Sequence, residues 1–140
     1  MIDERYLKNI GSFIPKEVQE NLFSKTFLII GCGGNGEYFS DFLSRLGVKK
    51  IILFDKDNFE YSNINRQIFY NINENKAKET AKQLINTNPN IKIEYYEDNF
   101  NYNYLHNIED IDMIIYCADY IYPLKNDLIK LIEKNIPILF

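Results

Sequence analysis

Ser62, Asn63, Arg66 and Gln67 are hydrogen-bond donors brought together by one loop or one helical turn, and Lys76 adds a second cation shortly after them. Donors gathered this way suit a triphosphate, because attack at an α-phosphate spreads negative charge that guanidinium and amide groups can meet. Upstream, Gly31-Cys32-Gly33-Gly34-Asn35-Gly36 is a glycine cluster: Gly31, Gly33, Gly34 and Gly36 let a backbone come close to phosphate oxygens. Asp55, followed by Asp57, lies at a distance from the glycines where a carboxylate can accept from both ribose hydroxyls of a nucleotide. Asp119 offers a carboxylate for magnesium, a metal that usually keeps several of its waters. Each residue also has a plainer reading. The glycines can simply make a turn, Asp55 can cap a strand, Lys76 can be a solvated helix charge, and Asp119 a helix cap. Glycines and an acidic residue alone do not separate NAD from ATP. The donor-rich segment after Asp55 favours ATP, since a dinucleotide domain has no general need for it.

These residues need elements to carry them. Residues 26–30 form a short continuous apolar run that ends in the glycine cluster, as a fully buried strand does. Phe39, Phe42, Leu43 and Leu46 then recur at helical spacing, with Gly47 as a natural stop. A second buried strand is predicted over 51–54, leading into Asp55. Ala77, Ala81, Leu84 and Ile85 mark one face of a helix opened by Lys76, which Pro89 cannot continue. Ile91 and Ile93 suggest a third strand, residues 113–116 a fourth, and residues 136–140 begin another. Leu124, Leu128, Leu131 and Ile132 stripe a helix between the last two, with Pro123 in its first turn. The alternation predicts an α/β fold: a Rossmann-like, three-layer domain over residues 26–140 with a mainly parallel sheet. Residues 1–25 carry no strand run and are expected to form one or two short helices outside it. Ligands of such sheets bind at the carboxyl edge, which is where the glycine cluster, Asp55 and Asp119 would all fall.

Composition narrows the classes further. A chain of 140 residues with 46% hydrophobic residues can build one core. Its net charge of −4, without a basic patch, argues against nucleic acid as a partner. Its apolar runs fall far short of the roughly 20 residues that cross a membrane, and the charged N-terminus has no signal-peptide core. The default expectation is a cytoplasmic protein. The two cysteines, Cys32 and Cys117, make neither a disulfide framework nor a close metal pair, and each reads best as a small buried hydrophobe. His106 has no visible partner, and Tyr95, Tyr96, Tyr102 and Tyr104 fit packing as well as binding.

The succession Gly-x-Gly-Gly-x-Gly, Asp-x-Asp-x-x-x-x-Ser-Asn-x-x-Arg-Gln, a helix-opening lysine and Cys-Ala-Asp resembles the ThiF/MoeB/HesA family of ubiquitin-activating-enzyme-like adenylyltransferases. The Arg5-Tyr6 pair is similar to that family's N-terminal entry. The resemblance implies ATP-dependent adenylation of a C-terminal carboxylate on a ubiquitin-like or sulfur-carrier protein or a peptide. It implies that Gly34 approaches the phosphates, Asp55 holds the ribose, Asn63, Arg66 and Lys76 bind the triphosphate, and Asp119 serves Mg2+. The Cys-Ala-Asp-Tyr-x-x-Pro run looks closer to microcin-type peptide-adenylating members. It further implies a homodimer, in which a basic residue near the N-terminus enters the neighbour's site. Lys8 stands there instead of the usual arginine and cannot reproduce a bidentate guanidinium contact. The loop between Gln67 and Lys76 is shorter than is usual, and the family's Cys-x-x-Cys zinc site is not expected in this chain. The apolar run at the end reads as an uncovered strand, so a C-terminally incomplete domain, inactive by itself, is expected. Two other readings stand beside adenylation: a catalytically weak partner subunit that binds a carrier or peptide, and an NAD-dependent oxidoreductase.

Overall fold

The computed structural model describes residues 2–11, 14–108, 110–119 and 125–140. Five parallel strands form one sheet in the order β3-β2-β1-β4-β5: β1 (Thr26–Ile30), β2 (Lys50–Phe54), β3 (Lys92–Tyr96), β4 (Met113–Tyr116) and β5 (Ile138–Leu139). Among the described residues four α-helices accompany them: α1 (Lys16–Leu22), α2 (Gly34–Leu46), α3 (Lys76–Thr87) and α4 (Lys125–Glu133). The predicted α/β architecture is the one observed, and β1 and β4 span the predicted residues. Pro123 and Leu124 lie outside the described residues.

The three layers follow from strand alternation. Phe27 and Ile29 of β1, Ile51 and Leu53 of β2, and Ile115 of β4 share one cluster with Leu43 of α2 and Ala77, Ala81 and Leu84 of α3. Their neighbours in sequence, Leu28, Ile30, Ile52, Phe54, Ile114 and Tyr116, turn to the other face and meet Leu128 and Leu131 of α4. Leu28, Ile29, Ile51, Ile52 and Leu53 are entirely buried, as strands covered on both faces must be. The sheet order reverses direction between β1 and β4, which opens a crevice at the carboxyl ends of those two strands.

The described residues before β1 include a 3-10 turn at Glu4–Tyr6 and α1. Tyr6 is buried, and its hydroxyl accepts from Asn88 Nδ2 (2.9 Å), which also donates to the Ser44 carbonyl (2.8 Å). Among the described residues, no helix is long and apolar enough to cross a membrane.

Three helix faces differ from expectation. In α2 the buried row is Gly36, Glu37, Ser40, Leu43 and Ser44, while Phe39 and Phe42 are exposed. The small residues at 36, 40 and 44 follow the i, i+4 row that lets a helix lie close to its neighbours, and the aromatics are too bulky for that row. Gly47 ends this helix in the left-handed region as expected (φ 78°). In α3 and α4, Ile85 and Ile132 point to solvent, at the margins of stripes otherwise buried through Leu84 and Leu131.

Candidate functional site

The crevice is a cleft of about 810 Å3 at the carboxyl ends of β1, β2 and β4, a size suited to a small-molecule ligand. Its floor begins where β1 ends. Gly31 has φ +95°, and a Cβ there would stand 2.8 Å from the Ala118 amide nitrogen, so β1 and β4 can part only over a glycine. Gly33 is the N-cap of α2, and Glu37 N donates to its carbonyl (3.0 Å). The first amides of α2 therefore have no partner within the helix and face a positive dipole end. Gly31, Gly33 and Gly34 line the cleft. Gly36 does not; it packs on the Gly31 carbonyl, where a Cβ would collide.

Asp55 binds this loop to β2. Its carboxylate accepts the Cys32 amide (2.7 Å) and the Asp57 amide (2.8 Å). Burial pushes its pKa up, against the lowering effect of those two amides and of Lys76. Each oxygen keeps lone-pair capacity for a ligand, and both Asp55 and Asp57 line the cleft. Asn75, which sequence reasoning passed over, is 5% exposed and donates to the carbonyls of Asp55 (2.9 Å) and Asp57 (3.2 Å). It also caps α3 by accepting from Lys78 N. An N-cap asparagine followed by a helix-opening lysine was the available signal. Through it Lys76, the first residue of α3, is held at the cleft wall, where its side chain forms no salt bridge with a described residue.

The donor segment divides. Arg66 lines the cleft, its Nη1 donating to the Ser62 carbonyl (2.8 Å) and Asn65 Oδ1 (3.0 Å). Gln67 touches the cleft but spends its amide inward, on the Cys32 carbonyl (2.9 Å) and Glu37 Oε1 (2.8 Å). Ser62 and Asn63 do not line it. Ser62 Oγ donates to Glu60 (3.3 Å), and Asn63 is buried in a reciprocal capping box with Glu60 that closes the 3-10 turn Tyr61–Asn63. Local hydrogen bonding has claimed both side chains. Asp119 is exposed and lines the opposite wall, just past β4. Asp55, Arg66, Lys76 and Asp119, far apart in sequence, thus surround one cleft. Lys8 is exposed and outside it, and the neighbouring Arg5 donates to the Thr87 carbonyl of its own chain (2.8 Å).

The cleft also uses residues not singled out from sequence: Tyr38 of α2, the stretch Asp98–Asn99–Phe100–Asn101 after β3, and Asp127 of α4. The stretch after β3 could have been foreseen, because it too leaves a strand at the carboxyl edge. Glu37 is the other omission. It is completely buried, and its carboxylate accepts from Gln67 Nε2 and from the amides of Ile68 (2.8 Å) and Phe69 (3.2 Å).

Cys32 is fully buried, and its thiol pKa is pushed well up, first by burial and then by the charges of Asp55 and Glu37. Position beside a helix N-terminus does not activate it. Cys117 is half-buried, its thiol raised to about 11 by burial. Tyr96 stacks on Phe54 (4.4 Å between centroids), and Tyr104 packs edge-on against the same ring. Among the described residues no cluster of three His, Cys, Asp or Glu side chains is arranged to hold a metal. A single carboxylate can nevertheless suffice for magnesium, which takes few protein ligands beyond phosphate oxygens and water; Asp119 is one of the carboxylates that line the cleft.

A parallel sheet ordered 3-2-1-4-5, with a glycine loop leaving β1 and an acidic residue leaving β2, defines a Rossmann-like domain. The model of the ThiF family matches residues 6–137, and the chain belongs to that family. It is 34% identical to ubiquitin-like modifier-activating enzyme 5 of Drosophila persimilis, an alignment covering 71% of this chain and 30% of that protein. The crystal structure of E. coli MccB with ATP superposes with a TM-score of 0.83 at 29% identity, covering 98% of this chain and 44% of MccB. E. coli tRNA N6-threonylcarbamoyladenosine dehydratase, TcdA, at 21% identity and a TM-score of 0.86, shares the fold over 96% of this chain and 58% of its own. The chain thus spans less than a third of the curated relative's length and less than half of MccB.

Proposed function

We propose that this domain binds ATP and adenylates the C-terminal carboxylate of a peptide or of a ubiquitin-like or sulfur-carrier protein. The observation that carries the reading is the convergence of Asp55, Arg66, Lys76 and Asp119 on the glycine-loop cleft. In the reaction a carboxylate oxygen bonds to the α-phosphorus, the α–β phosphoanhydride bond breaks, and pyrophosphate leaves with the electron pair. The residues suit that chemistry. The amides opening α2 and the side chains of Arg66 and Lys76 meet the charge on the phosphates, and Asp55 accepts from the ribose hydroxyls. Asp119 would hold Mg2+, which would supply positive charge against the phosphates. MccB, solved with ATP, supports the choice of nucleotide.

The active assembly in this reading is a homodimer in which Lys8 reaches the neighbour's cleft. Exposed Tyr38, Phe39 and Phe42 on α2 supply apolar surface that such an assembly would cover. The deciding experiment is carboxylate-dependent exchange of labelled pyrophosphate into ATP. Exchange that needs a peptide or carrier with a free C-terminus is the expected result. Tight ATP binding without any exchange would turn the assignment to a nucleotide-binding partner subunit.

A further inference from the structure

Glu37 is an ionisable side chain with no contact to solvent, in the first turn of the helix that opens the cleft. Carboxylates in a first helical turn ordinarily stay in water and complement the dipole. This one turns inward and collects three donors, all from the segment just after Arg66: Gln67 Nε2 at 2.8 Å, Ile68 N at 2.8 Å and Phe69 N at 3.2 Å. Gln67 extends the link by donating also to the Cys32 carbonyl inside the glycine loop (2.9 Å). One turn earlier on the same helix, the position a Cβ would take on Gly34 lies 3.1 Å from the Arg66 carbonyl oxygen and 3.7 Å from Arg66 Cβ. The main chain of Arg66 is therefore seated on Gly34, the three residues that follow it are fastened at Glu37, and its guanidinium is held at the exposed rim, through Ser62 and Asn65.

We propose that Glu37 is a positioning residue for phosphate binding: by gathering Gln67, Ile68 and Phe69 onto one buried carboxylate, it holds Arg66 on the glycine loop so that the guanidinium meets the nucleotide phosphates. The inference rests on the nucleotide-binding part of the reading above. Arginine side chains are long and flexible, so a loop that wandered by an ångström would lose much of the directed contact that makes a guanidinium effective. The charged and titratable groups around Glu37 are few: Lys76 from α3 and Cys32 from the glycine loop. The carboxylate thus acts on Arg66 through hydrogen bonds along one short stretch of chain.

The test is a double-mutant cycle on binding of a non-hydrolysable ATP analogue with magnesium, with adenosine as a phosphate-free control. Glu37→Ala and Arg66→Ala should each weaken the analogue about tenfold or more, and the double variant should bind no worse than the weaker single one. Adenosine affinity should be unchanged throughout. Amide exchange at Ile68 and Phe69 should quicken in Glu37→Ala and stay slow in Arg66→Ala. Glu37→Gln keeps one oxygen for those two amides and should recover most of the lost affinity. Should the alanine chain fail to fold, Glu37→Asp, which withdraws the carboxylate by one methylene, carries the same cycle. Losses that multiply in the double variant, or that extend equally to adenosine, overturn the assignment of Glu37 alone. A wild-type chain that binds no analogue overturns the nucleotide-binding reading and this inference with it. Binding without pyrophosphate exchange overturns adenylation and leaves the cycle interpretable.

Discussion

The Cys32 amide and the Asp55 carboxylate meet at 2.7 Å, joining the middle of the glycine loop to the end of β2. The other carboxylate oxygen takes the Asp57 amide at 2.8 Å, so one side chain ties three points of the cleft together. A residue proposed to read the ribose is thereby also a brace for the loop that approaches the phosphates.

Asp55 should accordingly show two separable effects. Asp55→Ala leaves the Cys32 and Asp57 amides without their acceptor and should lower unfolding free energy by about 1–3 kcal/mol, measured by urea denaturation. We predict that wild type binds ATP more tightly than its 2′- and 3′-deoxy analogues, and that Asp55→Asn erases the difference. Equal binding of all three nucleotides to wild type would refute the ribose role.

Arg66→Ala should abolish detectable adenylation with little change in melting temperature, because the side chain is exposed and contributes nothing to either core cluster. Arginines engaged in phosphoryl transfer are worth on the order of 10³–10⁵ in rate in other systems. Near-normal pyrophosphate exchange by the variant would remove Arg66 from the mechanism.

A homodimer sharing Lys8 makes a complementation prediction. Mixing an Arg66→Ala chain with a Lys8→Ala chain should restore part of the activity, since one of the two clefts in a mixed dimer is intact. Absence of rescue, with sedimentation showing only monomer, would count against shared sites.

Stability should carry a signature of Glu37 in its pH dependence. Burial pushes this carboxyl up from 4.5 to about 7, although the Phe69, Ile68 and Gln67 hydrogen bonds pull the other way. The folded chain then keeps a proton that the unfolded chain has released, so stability falls as pH rises between those values. The contribution is complete below about pH 4.5 and lost above about 7. Relative to Glu37→Gln, wild type should lose roughly 3 kcal/mol across that window, at about 1.36 kcal/mol for each pH unit crossed. A difference that stays constant with pH, followed by chemical denaturation, would show that the buried carboxyl does not titrate there.

Thiol labelling offers a simple check on the glycine loop. Cys32 is wholly buried with a raised pKa, so it should react with an alkylating reagent only at the rate of unfolding. Rapid labelling of Cys32 itself, followed in a Cys117→Ser chain because Cys117 is only half-buried, would mean that the loop opens readily.

Much of this fold is legible in the sequence where one physical signal dominates. The strands Thr26–Ile30 and Met113–Tyr116 are short apolar runs with no competing interpretation. Gly47 and the Pro89 stop mark helix ends through backbone chemistry that tertiary packing does not override. The α2 face departs from its apolar periodicity because close approach favours the row through Gly36, Ser40 and Ser44 over the one that carries the aromatics. At the cleft, Asp55, Arg66 and Lys76 are legible from charge and spacing, and the structure brings them to one place. Glu37 is not, since its role exists only once a segment about 30 residues away in sequence hydrogen-bonds to it; Asn75 is legible as a helix cap, but not as a brace for Asp55, about 20 residues away. Ser62 and Asn63 look like ligand donors in sequence for the complementary reason: nothing in composition reveals that neighbouring groups have already claimed them.

Tyr6 is locked between partners that are made much later. Its hydroxyl accepts from Asn88, its ring closes against Gly47 where a Cβ would stand 2.5 Å from the ring carbons, and Phe23 lies against it at 4.9 Å. On a ribosome, which makes on the order of 5–20 residues each second, this residue leaves the tunnel seconds before Asn88 does. During that interval the ring can already meet Phe23 and Gly47, but its hydroxyl has no Asn88 amide to accept from. Docking of Tyr6 is thus completed only once the helix end that carries Asn88 has been made, some eighty residues after the tyrosine itself.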